Sequence, residues 1–144
     1  MYDLHLDRHV PIDQIHEAIS YIFDIPPDLI VYVEDWEAVE ETEAEAYFTL
    51  DIRKGEFPSY LCIYFHGEAF RQDFRSEVGA AKAITDRLSC ECLISDDTRD
   101  PYNPYLWLLV GQDGGVYRVT VDVDAFGNNG EFYITEKEAY CVFR

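Results

Sequence analysis

The stretch from Cys90 to Asp124 constrains the fold of this chain more than any other. Two apolar runs, Tyr105-Leu-Trp-Leu-Leu-Val110 and Val116-Tyr-Arg-Val-Thr-Val-Asp122, flank a tight Gly111-Gln-Asp-Gly-Gly115 turn. Runs of this kind around a Gly/Asp turn read as a β-hairpin, because these residues accept the backbone angles of a sharp reversal. Leu106, Leu108 and Val110 alternate with Trp107 and Leu109, so both faces of the first strand are apolar. Such a strand belongs in the centre of a sheet, covered on both sides.

The rest of the chain supplies the neighbours. Tyr2, Leu4 and Leu6 alternate with Asp3, His5 and Asp7, the pattern of a half-buried strand. Pro11 suits a first helical turn, and Ile12, Ile15, Ile19, Ile22 and Phe23 then form one helical face. Pro26-Pro27 ends that helix. Leu29 to Val33 is a β-branched strand. Ala46–Asp51 and Tyr60–Phe65 are strands joined by a short connection, which favours antiparallel pairing. A longer helix is expected over Ala69 to Leu88, with Phe70, Phe74, Val78, Ala81, Ile84 and Leu88 on one face. Glu91–Ser95 is a strand leading into the hairpin. After it, Phe126-Gly-Asn-Asn-Gly130 reads as a turn before a short strand over Glu131–Thr135, and Glu136–Arg144 reads neither way. The order is β-α-β-β-β-α-β-β-β with a further C-terminal strand. It predicts an α+β fold: a mainly antiparallel sheet with two helices on one face, in a single domain spanning residues 1–144.

Charge narrows the function. The chain has 11 Lys and Arg against 29 Asp and Glu, a net charge of −18 and a pI near 4.3. That field repels nucleic-acid phosphates and anionic membranes and speeds encounter with a basic protein. It also serves solubility with no partner at all. The densest block is Glu34, Asp35, Glu37, Glu40, Glu41, Glu43 and Glu45, broken by Trp36 and Val39. A like-charged run of this kind is a solvated segment, or bait for a basic partner with Trp36 as aromatic anchor. The N-terminal residues hold no apolar leader, and no run approaches a membrane span. Cys62, Cys90, Cys92 and Cys141 fit no zinc spacing. They read as reduced thiols of a cytoplasmic protein, with Cys62 as a small buried hydrophobe.

No constellation for catalysis, metal or cofactor emerges. Asp122 to Glu131 approaches a calcium-loop pattern, but Phe126 and Tyr133 occupy positions that need oxygen ligands. Asp96, Asp97 and Asp100 could act as acid, base or magnesium ligands, yet the Asp-Pro and Asn-Pro steps among them are ordinary turn chemistry. His5 and His9 lack the helix that would align them on a metal. Cys62 and His66 lie roughly 13 Å apart along a strand, too far for a nucleophile and its base. No enzymatic role, cofactor or metal is expected.

Several motifs together point to a family. Asp24-Ile-Pro-Pro-Asp28 closes the first helix, and Gly55-Glu56-Phe57-Pro58 precedes a strand. Ser95-Asp96-Asp97 then leads through Asn103-Pro104-Tyr105-Leu106-Trp107-Leu108 to the Asp113-Gly114 turn. This arrangement resembles the small acidic immunity proteins of bacterial polymorphic toxin systems. The resemblance implies a cytoplasmic, non-enzymatic protein that binds and neutralises a cognate toxin, one that is basic and acts in the cytosol, as a nuclease does. Joined to the charge, it makes Glu34, Asp35, Trp36, Glu37, Glu40, Glu41, Glu43, Asp96, Asp97, Asp100, Tyr102 and Tyr105 the expected partner-binding residues, on one acidic face. Three other readings stay open. They are a nucleic-acid-mimicking inhibitor of a host nuclease, a small enzyme with a carboxylate site around Asp96 and Asp97, and an adaptor subunit with an exposed apolar patch.

Overall fold

The structure, a computed structural model, describes residues 2–34, 44–66, 77–96 and 103–140. Eight strands form one sheet: β1 (Tyr2–Leu6), β2 (Ile30–Tyr32), β3 (Ala46–Ile52), β4 (Ser59–Phe65), β5 (Cys92–Ser95), β6 (Leu106–Val110), β7 (Val116–Val121) and β8 (Ile134–Ala139). Their order across the sheet is β2-β3-β4-β1-β5-β6-β7-β8. Every pairing is antiparallel except β2 with β3, which is parallel. The expected α+β architecture is present. β6 lies inside the sheet between β5 and β7, with Leu108 and Val110 in one hydrophobic cluster and Leu109 in another.

One face of the sheet is covered by α1 (Ile12–Phe23) and α2 (Glu77–Leu88), which pack against each other. The Pro11 carbonyl accepts hydrogen bonds from the Gln14 and Ile15 amides and so opens α1. Asp24, left-handed at φ 53°, closes it by donating its amide to the Ser20 carbonyl. Ile15, Ala18, Ile19 and Phe23 of α1 meet Val78, Ala80, Ala81, Ile84 and Leu88 of α2 and the even-numbered residues of β1, Leu4 and Leu6, in one large core. The alanines of α2 let its backbone come close, as a small side chain permits. Of the expected helix over Ala69–Leu88, residues 69–76 lie outside the described residues.

The opposite face has a smaller, aromatic cluster. Phe57, Leu93, Leu109, Val119, Val121 and Phe132 are buried there, with Trp107, Tyr105 and Phe126 packed against them. Two expectations are corrected here. The stretch read as a simple turn holds a third helix, α3 (Val123–Asn129). Asp122 caps it by accepting the Ala125 amide at 2.9 Å, and Gly130, left-handed at φ 65°, ends it. The last strand is also later than expected: β8 covers Ile134–Ala139 rather than Glu131–Thr135.

Candidate interaction surface

The partner-binding residues expected from the sequence divide into three groups. Glu34 follows β2 and is exposed. Asp35, Trp36, Glu37, Glu40, Glu41, Glu43, Asp97, Asp100 and Tyr102 lie outside the described residues. Asp96 and Tyr105 are built into the fold. Asp96 is only 2% exposed, and its carboxylate faces the Arg118 Nε at 3.5 Å. Tyr105 is half-buried, its ring edge-on to Phe126 at 5.9 Å and its carbonyl accepting the Val121 amide. Glu34 and Asp96 extend strands four places apart in the sheet. At the usual strand spacing that is roughly 19 Å across the sheet, with Glu34 exposed and Asp96 buried.

A different acidic sector stands out among the described residues, and sequence reasoning missed it. Glu136, Lys137 and Glu138 are exposed on β8, at the end of the sheet, with Asp124 of α3 nearby in the chain. Glu136 pairs across the ladder with Thr120 and Glu138 with Arg118. With Leu106 these residues line a groove of about 550 Å³. The signal available in the sequence was the Glu-Lys-Glu alternation, which has no apolar face and so does not announce a strand.

The distribution of charge reinforces this picture. Most of the described cations contact other groups of the chain, although Arg53, Arg87 and Lys137 are themselves exposed. An Arg8 Nη donates to the Leu88 carbonyl, and the Arg53 guanidinium lies over the Tyr60 ring at 4.7 Å. Arg87 pairs with Glu17 and covers Tyr21 at 3.8 Å. Arg118 faces Asp96 and covers Tyr140 at 4.5 Å, and the Lys137 Nζ sits 4.1 Å from the Tyr117 ring centre. Meanwhile Asp13, Asp28, Glu34, Asp51, Asp86, Asp124, Glu136 and Glu138 are exposed. The acidic excess therefore faces outward while much of the positive charge is drawn onto carbonyls, aromatic rings and two carboxylates.

The chemistry-bearing residues on the aromatic face are quiet. Cys62 is buried as expected, but among polar partners: its thiol donates to the Asp3 Oδ1 at 2.7 Å, and the Tyr60 hydroxyl lies 3.4 Å from the sulfur. Burial, then the Asp3 carboxylate, pushes this thiol up to about 11. Burial likewise raises Cys90, which lies in the helix-side core, to about 12. Both stay protonated at neutral pH and are poor nucleophiles. His5 stacks on Tyr60 at 4.4 Å and contacts Phe132 and Trp107 at 4.5 and 5.6 Å. Burial, with Arg53 adding, lowers its pKa to about 4, so the imidazole is neutral. Among the described residues no three His, Cys, Asp or Glu side chains converge as a metal site would require, and no helix is long and apolar enough to cross a membrane. Neither family models nor curated proteins nor solved structures give a match to this chain.

Proposed function

We propose that the protein is an immunity protein: a binding module that neutralises a cognate, basic bacterial toxin acting in the cytoplasm. The observation that supports this reading best is the partition of charge. Arg8, Arg53, Arg87, Arg118 and Lys137 each contact a carbonyl, a carboxylate or an aromatic ring of this chain, whereas carboxylates on both edges of the sheet, Glu34 beside β2 and Glu136 and Glu138 on β8, point to solvent. A surface of this kind steers a cationic partner into contact and repels phosphates. The quiet thiols and neutral His5 favour binding over nucleophilic catalysis. The ion pair of Asp96 with Arg118 favours a supporting role for that carboxylate over an acid–base one. A toxin whose working groove accommodates nucleic acid carries the complementary charge.

Co-expression with the product of the neighbouring gene tests the reading. The two should co-purify, and the product alone should arrest growth that the pair restores. No complex and no rescue would dismiss it. The acidic block provides a second test: replacing Glu37, Glu40, Glu41 and Glu43 by Lys should weaken the complex roughly tenfold or more and flatten its salt dependence.

A further inference from the structure

β8 ends the sheet; at its start the Ile134 amide donates to the Glu56 Oε1 at 2.6 Å, and farther along no strand pairs with its outer side among the described residues. The ladder shows which backbone groups point that way. The Tyr140 amide donates to the Val116 carbonyl, and Glu138 and Glu136 stand opposite Arg118 and Thr120. In an antiparallel pair, the N–H and C=O of one residue point to the same side and alternate residues point oppositely. From Glu136 to Tyr140 the even-numbered residues therefore face β7; before them a register shift opposite Thr120 and Val121 breaks the alternation. Lys137 and Ala139 turn their backbone donors and acceptors outward, as a template for another strand, while Thr135 sits at the bulge with its hydroxyl donating to the Thr120 carbonyl. Glu136 and Glu138 stand side by side on one face of that edge, and Lys137 is on the other, held over Tyr117.

We propose that β8 is the docking edge for the partner, which adds an extended segment as a ninth strand with Lys or Arg at two positions two apart. This deepens the immunity reading and rests on it. The spacing follows from the pairing rule: residues directly opposite share a face, so the two cations would meet Glu136 and Glu138, and the residue between them would meet Lys137. A second copy of this chain is a poor occupant. Symmetric antiparallel pairing centred on Lys137 sets Glu136 against Glu138 of the copy, twice, and Lys137 against Lys137. A shift of centre by one residue sets Glu136 or Glu138 against its own copy. Like charges directly opposite destabilise a sheet, so the edge repels itself and selects a basic strand.

The test uses the full chain, labelled for backbone NMR, with two blocked peptides, Val-Thr-Lys-Glu-Lys-Thr-Val and Val-Thr-Glu-Lys-Glu-Thr-Val. The first should shift the Lys137 and Ala139 amides and slow their exchange, and the second should not. Ala139→Pro removes one outward N–H without touching a bond to β7, and should abolish the effect. Unchanged exchange of the Glu136, Glu138 and Tyr140 amides confirms that the variant's sheet is intact. Glu136→Lys, which alters no backbone group, should weaken the first peptide roughly tenfold. If both peptides act alike, or neither acts, or the shifts fall elsewhere, the edge is not the docking site. The complex with the neighbouring gene's product separates the two levels. Equal affinity of wild type and Ala139→Pro would overturn the edge and leave the immunity reading standing, whereas no complex with wild type would remove the reading itself.

Discussion

The two faces of the sheet are built on different principles. The helix-covered face is aliphatic and continuous: α1, α2 and the inward residues of β1, β3, β4 and β5 form one cluster around Leu4, Ile19, Phe48, Ile63 and Ile84. The other face is aromatic and partly polar. Its cover comes from connecting segments, with Phe57 before β4, Phe126 in α3 and Phe132 before β8, and it encloses His5 and the Asp3–Cys62 contact. The first face carries most of the burial, and the second adds pH sensitivity and local adjustability.

Mutation should reproduce this contrast. Phe48→Ala on the helix face should cost about 4 kcal/mol, since regular elements surround it and cannot collapse into the space. Phe132→Ala on the aromatic face should cost less, about 3 kcal/mol, because Phe132 itself lies in the segment between α3 and β8, which can relax. Equal costs in urea unfolding would break the comparison.

pH sharpens it. The unfolded imidazole titrates near 6.5 and the folded His5 near 4. The neutral form is thus favoured by folding: the stabilisation is full above 6.5 and is lost as pH falls through 4. The full difference approaches about 3 kcal/mol. Measured as the change between pH 7 and 4 in wild type minus that in His5→Phe, it should appear as an extra acid loss in wild type. No difference would mean that the aromatic face does not hold the imidazole neutral. Smaller again, Asp122→Ala removes the cap of α3 and should cost about 1 kcal/mol, with faster amide exchange confined to that helix. The gentlest probe is alkylation: at pH 7 the native Cys62 and Cys90 should react far more slowly than in urea.

The same contrast explains what could be read in the sequence. The helix face was legible because its residues repeat locally, as Ile15 and Ile19 do along α1 and Leu4 and Leu6 do along β1. The hairpin of β6 and β7 was legible from its Gly-Asp turn, where Asp113 accepts the Gly115 amide and the Tyr117 hydroxyl. The aromatic face was not legible, because His5, Trp107 and Phe132 meet across long separations in the chain that no local period records. α3 was hidden by Gly127-Asn128-Asn129, poor helix formers that only the caps at Asp122 and Gly130 sustain. β8 was hidden because an edge strand with Glu136 and Glu138 exposed has no apolar side to show. Of the expected interaction residues, Asp96 lies buried against the half-buried Arg118 of β7, a placement that a carboxylate in a turn-rich stretch does not announce.

The proposed attraction between this acidic surface and a basic protein is measured most directly by the affinity of the complex with the neighbouring gene's product as salt rises. Between about 50 and 500 mM salt the dissociation constant should rise at least tenfold, mainly through a slower association rate. A tight complex whose affinity and association rate do not change with salt would contradict it.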